Sequence, residues 1–363
     1  LGTNRRSVRI AVYTIALNEE QFVERWYNSA KDADYLLIAD TGSTDNTVAK
    51  AKELGINVIE IGVNPWRFDD ARTASLAALP KDIDMCIQLD MDEILVGNYR
   101  EEIQKAWEQG ANRVGYWYIS SWTPDKKPNI QFEGFKCHSR IGYRWKYPIH
   151  EVVVPYGILE KKIRGNFEIH HLADSTKDRN GYLSMLELAV EENPDARNLS
   201  YLGREYFFKN RYDEAKDTLH KYLKVGVWPA ERSYVYRLLS KVEPDQAEEH
   251  LLKAAREWPC REALMSLANY YYQKNMWIQC LEFSKKALEV TDKNNSFFNE
   301  AWAWSHMGAD LAALSAYSLE LWDQAYKYGK LAAEQAPEID RLQNNLKFYR
   351  EKVNEHNTKP DDR

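Results

Sequence analysis

The sequence is poor in cysteine. Its 363 residues hold four, Cys86, Cys137, Cys260 and Cys280, and no two are spaced as C-x-x-C. That excludes a dense disulfide framework and a paired-cysteine metal site, and predicts reduced thiols. There is no run of about 18 apolar residues to cross a membrane, and no signal-peptide pattern at the start. Together these absences predict a soluble, cytoplasmic protein. Positive charge is not in excess either: 49 Lys and Arg against 55 Asp and Glu leave a net charge of −6. A surface coated for nucleic acid is therefore disfavoured. One local basic stretch stands out, Lys126 to Arg164, with nine basic residues against Glu133, Glu151 and Glu160. What is abundant is aromatic: 12 Trp and 23 Tyr, enough for core packing and for platforms that take a sugar or a base.

The chain is expected to divide near residue 175. Before it, apolar runs alternate with helical patterns. Val8 to Leu17, Tyr35 to Asp40, Asn57 to Val63 and Met85 to Asp90 read as strands. Asn18 with Gln21 has the form of a capping box before the apolar stripe Phe22, Val23, Trp26 and Ala30. Asp45 or Asn46 can cap the next helix, and Gly55 ends it. Such alternation predicts a Rossmann-type α/β domain over 1–175, with a parallel sheet whose ligands gather at the strands' C-terminal ends.

From Lys177 the strands give way to helical repeats. "LGREYFFKNRYDEAKDTLHKYL" (202–223) aligns on "LANYYYQKNMWIQCLEFSKKAL" (267–288) at an offset of 65 residues, with a weaker copy around Trp322 and Ala325. The offset is close to twice the period of about 34 that marks tetratricopeptide hairpins. An all-α solenoid over 176–353, then a polar tail over 354–363, is the expectation. The solenoid's spare aromatic surface suggests packing on the catalytic domain or a homodimer contact.

The chemistry is densest in "IQLDMDEIL", Ile87 to Leu95. An apolar strand runs into Asp90-Met91-Asp92-Glu93, and three carboxylates in four positions repel one another unless a cation sits among them. Oxygen donors of this kind suit Mg²⁺ or Mn²⁺, which can also bridge phosphates. Asp40 ends a neighbouring strand on the same edge. Arg72 lies in a run that otherwise reads as buried helix, where a guanidinium suits a carboxylate or a diphosphate. Downstream, "YRWKYPIHEVV" places His150 beside Glu151: an imidazole for a metal and a carboxylate for a proton. His150 falls in what reads as a short strand. His170 and His171 are alternatives as the metal's histidine, with His138 behind them.

"TIALNEEQFVERW", "IADTGSTDNT", "FDDARTASL" and "LDMDEIL", in this order and spacing, resemble glycosyltransferase family 2. More narrowly they resemble bacterial and phage members with a tetratricopeptide tail, a group that includes the sublancin-type peptide S-glycosyltransferases. The resemblance covers residues 8 to about 175, and the tail in kind. It implies a GT-A fold, a nucleotide-sugar donor with UDP favoured, inversion at the sugar carbon, and Mn²⁺ or Mg²⁺. It also implies roles. Asp40 accepts from the base, Thr41, Gly42 and Ser43 shape the pocket, and Asn18 and Glu19 border base and ribose. Asp90 reaches the ribose or the metal's water and belongs to the metal set with Asp92 and His150, of which Asp92 binds directly, and Arg72 meets the diphosphate. Many relatives carry Asn after that arginine, where this chain has Thr73. Glu151, then Glu133 and Asp69, are the candidate bases. The acceptor stays open among a glycan, a peptide side chain and a hydroxymethylated base in phage DNA. The rival reading is a repeat-type binding module with a degenerate transferase half.

Overall fold

The structure is a computed structural model that describes residues 6–123, 126–172, 181–293 and 298–357. It contains two compact units, Leu1–Glu192 and Asn193–Arg363.

The first unit opens with β1 (Ile10–Ala16), α1 (Val23–Ala30), β2 (Tyr35–Asp40), α2 (Thr47–Glu53), β3 (Asn57–Glu60), α3 (Phe68–Ala77) and β4 (Met85–Gln88). Then come β5 (Glu93–Val96), α4 (Tyr99–Glu108), β6 (Arg113–Trp122), β7 (Pro128–Ser139), β8 (Tyr143–Lys146), β9 (Val152–Pro155), β10 (Lys162–His171) and α5 (Tyr182–Glu192). Eight strands form one sheet in the order β3-β2-β1-β4-β7-β6-β10-β5, and β8 pairs with β9. The first four are mutually parallel, as expected. The whole sheet is mixed, because β7 runs antiparallel to both β4 and β6, and β5 antiparallel to β10.

The inner parallel strands β2, β1 and β4 are nearly continuous apolar runs because both faces are covered, while the edge strand β3 is half-exposed. Along β1, Ile10 and Val12 pack with Trp26, Ala30 and Ile103 of the helices on one face. Ala11 and Tyr13 pack on the other with Leu76, Tyr143 and Trp145. Trp26 has no exposed surface, and its indole donates to the Leu89 carbonyl at 2.9 Å. Full burial of one such side chain stabilises by about 1.5–3 kcal/mol. The expected capping box does not form. Asn18 sits ahead of α1 in left-handed backbone, φ 56°, and its side chain turns to the Thr44 amide instead. Asp45 does brace the start of α2, accepting from the amide of Thr47 at 2.9 Å and from its hydroxyl at 2.5 Å.

The boundary between the units falls at Glu192/Asn193, later than the division expected at 175/176, which lies outside the described residues. The reason is α5. Tyr182 packs edge-on against Phe68, and Glu192 pairs with Arg67, so this helix belongs to the sheet unit.

The second unit is helical: α6 (Ala196–Phe208), α7 (Tyr212–Val225), α8 (Pro229–Val242), α9 (Ala247–Glu257), α10 (Arg261–Gln273), α11 (Trp277–Glu289), α12 (Met307–Ser318), α13 (Trp322–Gln335) and α14 (Asp340–Asn357). Helices pair in sequence as tetratricopeptide-like hairpins, α8 and α9 filling the interval between the two aligned copies. The repeated Lys-Asn dipeptide explains the turns: Asn210 and Asn275 take φ 59° and 57°, a left-handed conformation asparagine tolerates. The aligned pairs Leu202/Leu267, Tyr206/Tyr271 and Ala215/Cys280 are all buried. α14 reaches Asn357, so the tail expected from residue 354 begins inside a helix; residues 358–363 lie outside the described residues.

Candidate active site

The parallel order β2-β1-β4 brings three strand ends together, and the polar turns follow from them. Asp40, 3% exposed, closes β2; its Oδ2 accepts from the amides of Gly42 and Ser43 at 3.1 and 3.0 Å. Its Oδ1 is buried and accepts no hydrogen bond among the described residues. The turn is also tied to the end of β1. Thr41 Oγ1 donates to the Ala16 carbonyl, the Asn18 amide donates to Ser43 Oγ, and the Glu19 amide to Thr47 Oγ1. Gly42, at φ 110°, stands where a side chain would be strained. Asp40, Thr41, Gly42 and Ser43 line an open hollow with Val48, Glu60, Ile61 and Gly62.

Beside it is a cavity of about 820 Å³. It is lined by Asn18, Glu19, Thr41, Arg72, Asp90 and Asp92 from the expected set, together with Trp66, Phe68, Tyr118, Lys136, His171 and Tyr182. Two features of its floor were not legible beforehand. The first is the cation among the carboxylates. Asp90 Oδ1 accepts from Arg72 Nη2 at 2.8 Å and Gln88 Nε2 at 2.9 Å, while Oδ2 accepts from Lys136 Nζ at 2.9 Å. Lys136 also reaches Glu93 Oε1 at 3.2 Å, and Glu93, 1% exposed, accepts from the Asp90 amide and the Tyr118 hydroxyl. The crowded acids are thus balanced by the protein's own lysine and arginine. Burial alone would raise Asp90, but Arg72 and Lys136 outweigh it and hold the carboxyl well below the usual range.

The second feature is the histidine. β10 pairs with β5 so that His171 lies opposite Glu93, and the Leu172 amide donates to the Asp92 carbonyl. His171 Nε2 lies 3.5 Å from Asp92 Oδ2, and that carboxylate raises the imidazole above its ordinary value. His150 is elsewhere. It stands exposed in a bend before β9, not in a strand, at φ 51°, with its ring edge-on to Tyr182. His170 turns to Glu168 at 2.6 Å and to the Trp122 ring. His138 is fully buried: Trp145 donates to Tyr13, whose hydroxyl lies 3.2 Å from His138 Nε2.

Among the described residues no cluster of three or more His, Cys, Asp or Glu is arranged to hold a metal. Asp92 and His171 do fit a divalent ion as a pair. Two donors each about 2.1 Å from one ion stand about 3.0–3.4 Å apart, near the separation seen. Further oxygens would have to come from a substrate. Asp90, expected as a third ligand, has both oxygens engaged by cations.

Glu151 does not line the cavity. It bonds Arg72 Nε, so Arg72, 5% exposed, is gripped by carboxylates on two sides with Trp145 5.2 Å from its centre. Arg72 Nη1 is buried and donates to nothing among the described residues. Asp69 is held by Arg67, and Glu133 is exposed on β7 away from the cavity lining. The basic stretch is dispersed: Arg140 binds the Leu79 carbonyl, Arg164 stacks on Trp117, and Lys136 alone of the nine lines the cavity.

Residues 11–164 match the family described as Glycosyl transferase family 2. Two relatives described as uncharacterized glycosyltransferases, from Rickettsia bellii and Rickettsia typhi, are 33% and 35% identical over 97 residues. Each alignment covers 26% of this chain and 32% of the relative, so the chain spans about a third of the length of the curated relatives it matches. Among solved structures, Pseudomonas aeruginosa PilF has a TM-score of 0.36 at 21% identity, covering 44% of this chain and 70% of that one. MamA has 0.36 at 17%, covering 44% and 89%. Likeness at that level adds nothing to the helix pairing already described. The four motifs all fall within the match: residues 11–164 are similar to glycosyltransferase family 2, and a tetratricopeptide-like helical region follows.

Proposed function

We propose that the protein transfers a sugar from a nucleotide diphosphate sugar, a UDP-sugar by preference, to a hydroxyl or thiol of a glycan or peptide, with inversion. The observation that carries this reading is the meeting of Arg72, Asp90 and Asp92 around a cavity large enough for a nucleotide, with Asp40's unfilled acceptor in the hollow beside it at the same sheet edge. Asp40 Oδ1 would take a base N–H. Asn18, Glu19 and Thr41 would border base and ribose, and Asp90 would accept from a ribose hydroxyl.

Asp92 and His171, not His150, would hold a divalent ion. When bound, Mn²⁺ or Mg²⁺ supplies positive charge to the diphosphate. The chain's own contribution is Arg72, whose charge favours the leaving diphosphate. Glu151, expected as the base, serves in this scheme as a positioning residue instead, because its oxygen fixes the guanidinium. Trp66, Phe68 and Tyr182 give the same cavity an aromatic wall on which an acceptor sugar ring or apolar side chain can lie. That wall, with the basic residues dispersed, favours glycan or peptide over DNA.

The test is a panel of nucleotide sugars scored by thermal shift with Mn²⁺, followed by mass spectrometry of candidate acceptors. One donor should stabilise the protein and label an acceptor by one sugar mass. Stabilisation by none, and no metal-dependent hydrolysis of any, would favour the binding-module alternative.

A further inference from the structure

We propose that Lys136 is a resident counter-cation of the donor site: it occupies the position beside Asp90 that an ion would otherwise share, and confines any divalent ion to Asp92 and His171. The inference rests on the donor-site reading above and concerns which side chains such an ion meets.

Asp90 could ligate an ion only with an oxygen free to turn toward it. Its Oδ1 accepts two hydrogen bonds, from Arg72 and Gln88, and its Oδ2 takes the ammonium of Lys136 at 2.9 Å. The lysine is fastened at a second point, Glu93 Oε1, and Glu93 in turn holds the Asp90 amide. Moving Lys136 aside would therefore leave two largely buried carboxylates without their shared cation, a costly state in low dielectric. Its side chain keeps 28% of its surface, and it lines the cavity. A positive charge at that point repels a second cation and attracts a diphosphate. Two consequences follow. The nucleotide-free protein binds a divalent ion weakly, through two side chains, and a diphosphate strengthens that binding by adding oxygens. The Asp90 end of the site stays set for a nucleotide whether or not an ion is present.

Lys136 is thus a positioning residue, and its removal should move two affinities in opposite directions. Mn²⁺ binding to nucleotide-free protein is read from the free-ion electron paramagnetic resonance signal, and UDP binding without metal from calorimetry. In Lys136→Met, Mn²⁺ should bind about three- to tenfold more tightly and UDP several-fold more weakly. Lys136→Arg should resemble the wild type in both. A merely structural lysine would weaken both together, and that result overturns the inference. Should Lys136→Met fail to fold by circular dichroism, Asp90→Asn decides. Mn²⁺ affinity within about twofold of wild type supports the inference, and a loss beyond about tenfold makes Asp90 a ligand and overturns it. A wild type that binds neither UDP nor Mn²⁺, alone or together, removes the donor-site reading itself. Wild-type binding of both, with Lys136→Met unchanged, removes only the role of Lys136.

Discussion

Both units bury charge, but they arrange it differently. In the helical unit the buried charges work in small local groups. Asp310 takes Arg341 through both oxygens at 3.1 and 2.5 Å, Arg237 meets Glu300, and Glu262 accepts from the Trp304 indole at 2.6 Å. The Asp310 pair joins two helices and stops there, while Arg237, Glu300 and Glu262 form one short link, the Glu300 amide donating to Glu262 Oε1 at 3.2 Å. In the sheet unit Glu151, Arg72, Asp90, Lys136 and Glu93 form one chain of contacts drawn from four separate segments, ending at a cavity. A pair that joins elements contributes to stability alone. A chain of charges held at a cavity keeps its field for a substrate, at a cost in desolvation that packing elsewhere offsets.

Removing the guanidinium should produce the largest effect. Arg72→Met leaves Asp90 and Glu151 without their shared partner, and about 3–5 kcal/mol of stability should be lost in urea unfolding along with UDP binding. An unchanged midpoint would mean the contact chain is not held as described. Next comes Asp92→Asn. Its turnover with the cognate nucleotide sugar should drop about 100-fold or more with the melting temperature little altered, because the amide keeps the side chain's shape while the ion loses its carboxylate. Equal turnover at limiting Mn²⁺ would take Asp92 out of the metal's reach.

A smaller effect concerns His138, which separates a structural histidine from the site's His171. Burial pushes its imidazole down to about 4, below the ordinary 6.5. The folded state therefore holds it neutral while the unfolded chain protonates near 6.5. Its stabilising contribution is present above that pH and is lost as pH falls toward 4, by about 2–3 kcal/mol. Denaturant midpoints from pH 7 to pH 4 should fall less steeply in His138→Gln than in the wild type; parallel slopes would contradict the assignment. The smallest expected effect lies in the helical unit. Asp195 caps α6 by accepting from the Asn198 amide at 2.9 Å, so Asp195→Ala should cost about 1 kcal/mol. UDP affinity should not change, and a weaker affinity would show that the helical unit's charges are not purely local.

Much of the site could be read in advance, for a specific reason. Asp40, Asp90, Asn18 and Glu19 follow apolar runs, and parallel strands place whatever follows them at one edge. Arg72 stood out as a charge inside an apolar helix. Lys136 did not, because it was counted within a basic stretch. The signal it carried was local: in "FEGFKC" it falls on the alternate face with Phe132 and Gly134, a charge in a half-buried rhythm. His150 looked stronger than His171 because it sits beside a glutamate. Adjacency in a bend at φ 51° sends the two side chains apart, Glu151 to Arg72 and His150 toward Tyr182.

By itself the sequence determined what short-range physics controls. Continuous apolar runs alternating with helical patterns set the parallel half of the sheet. The recurring Lys-Asn turns and buried Leu, Tyr and Ala positions set the helical hairpins, and the motif order set the family. Only tertiary structure decided which cation neutralises Asp90 and which histidine faces Asp92. Lys136 lies 46 residues from Asp90, on a strand antiparallel to β4, and His171 reaches Asp92 through the pairing of β10 with β5. Those pairings are settled by the register of whole strands and the burial of their faces, and no local pattern around either residue encodes the partner it meets.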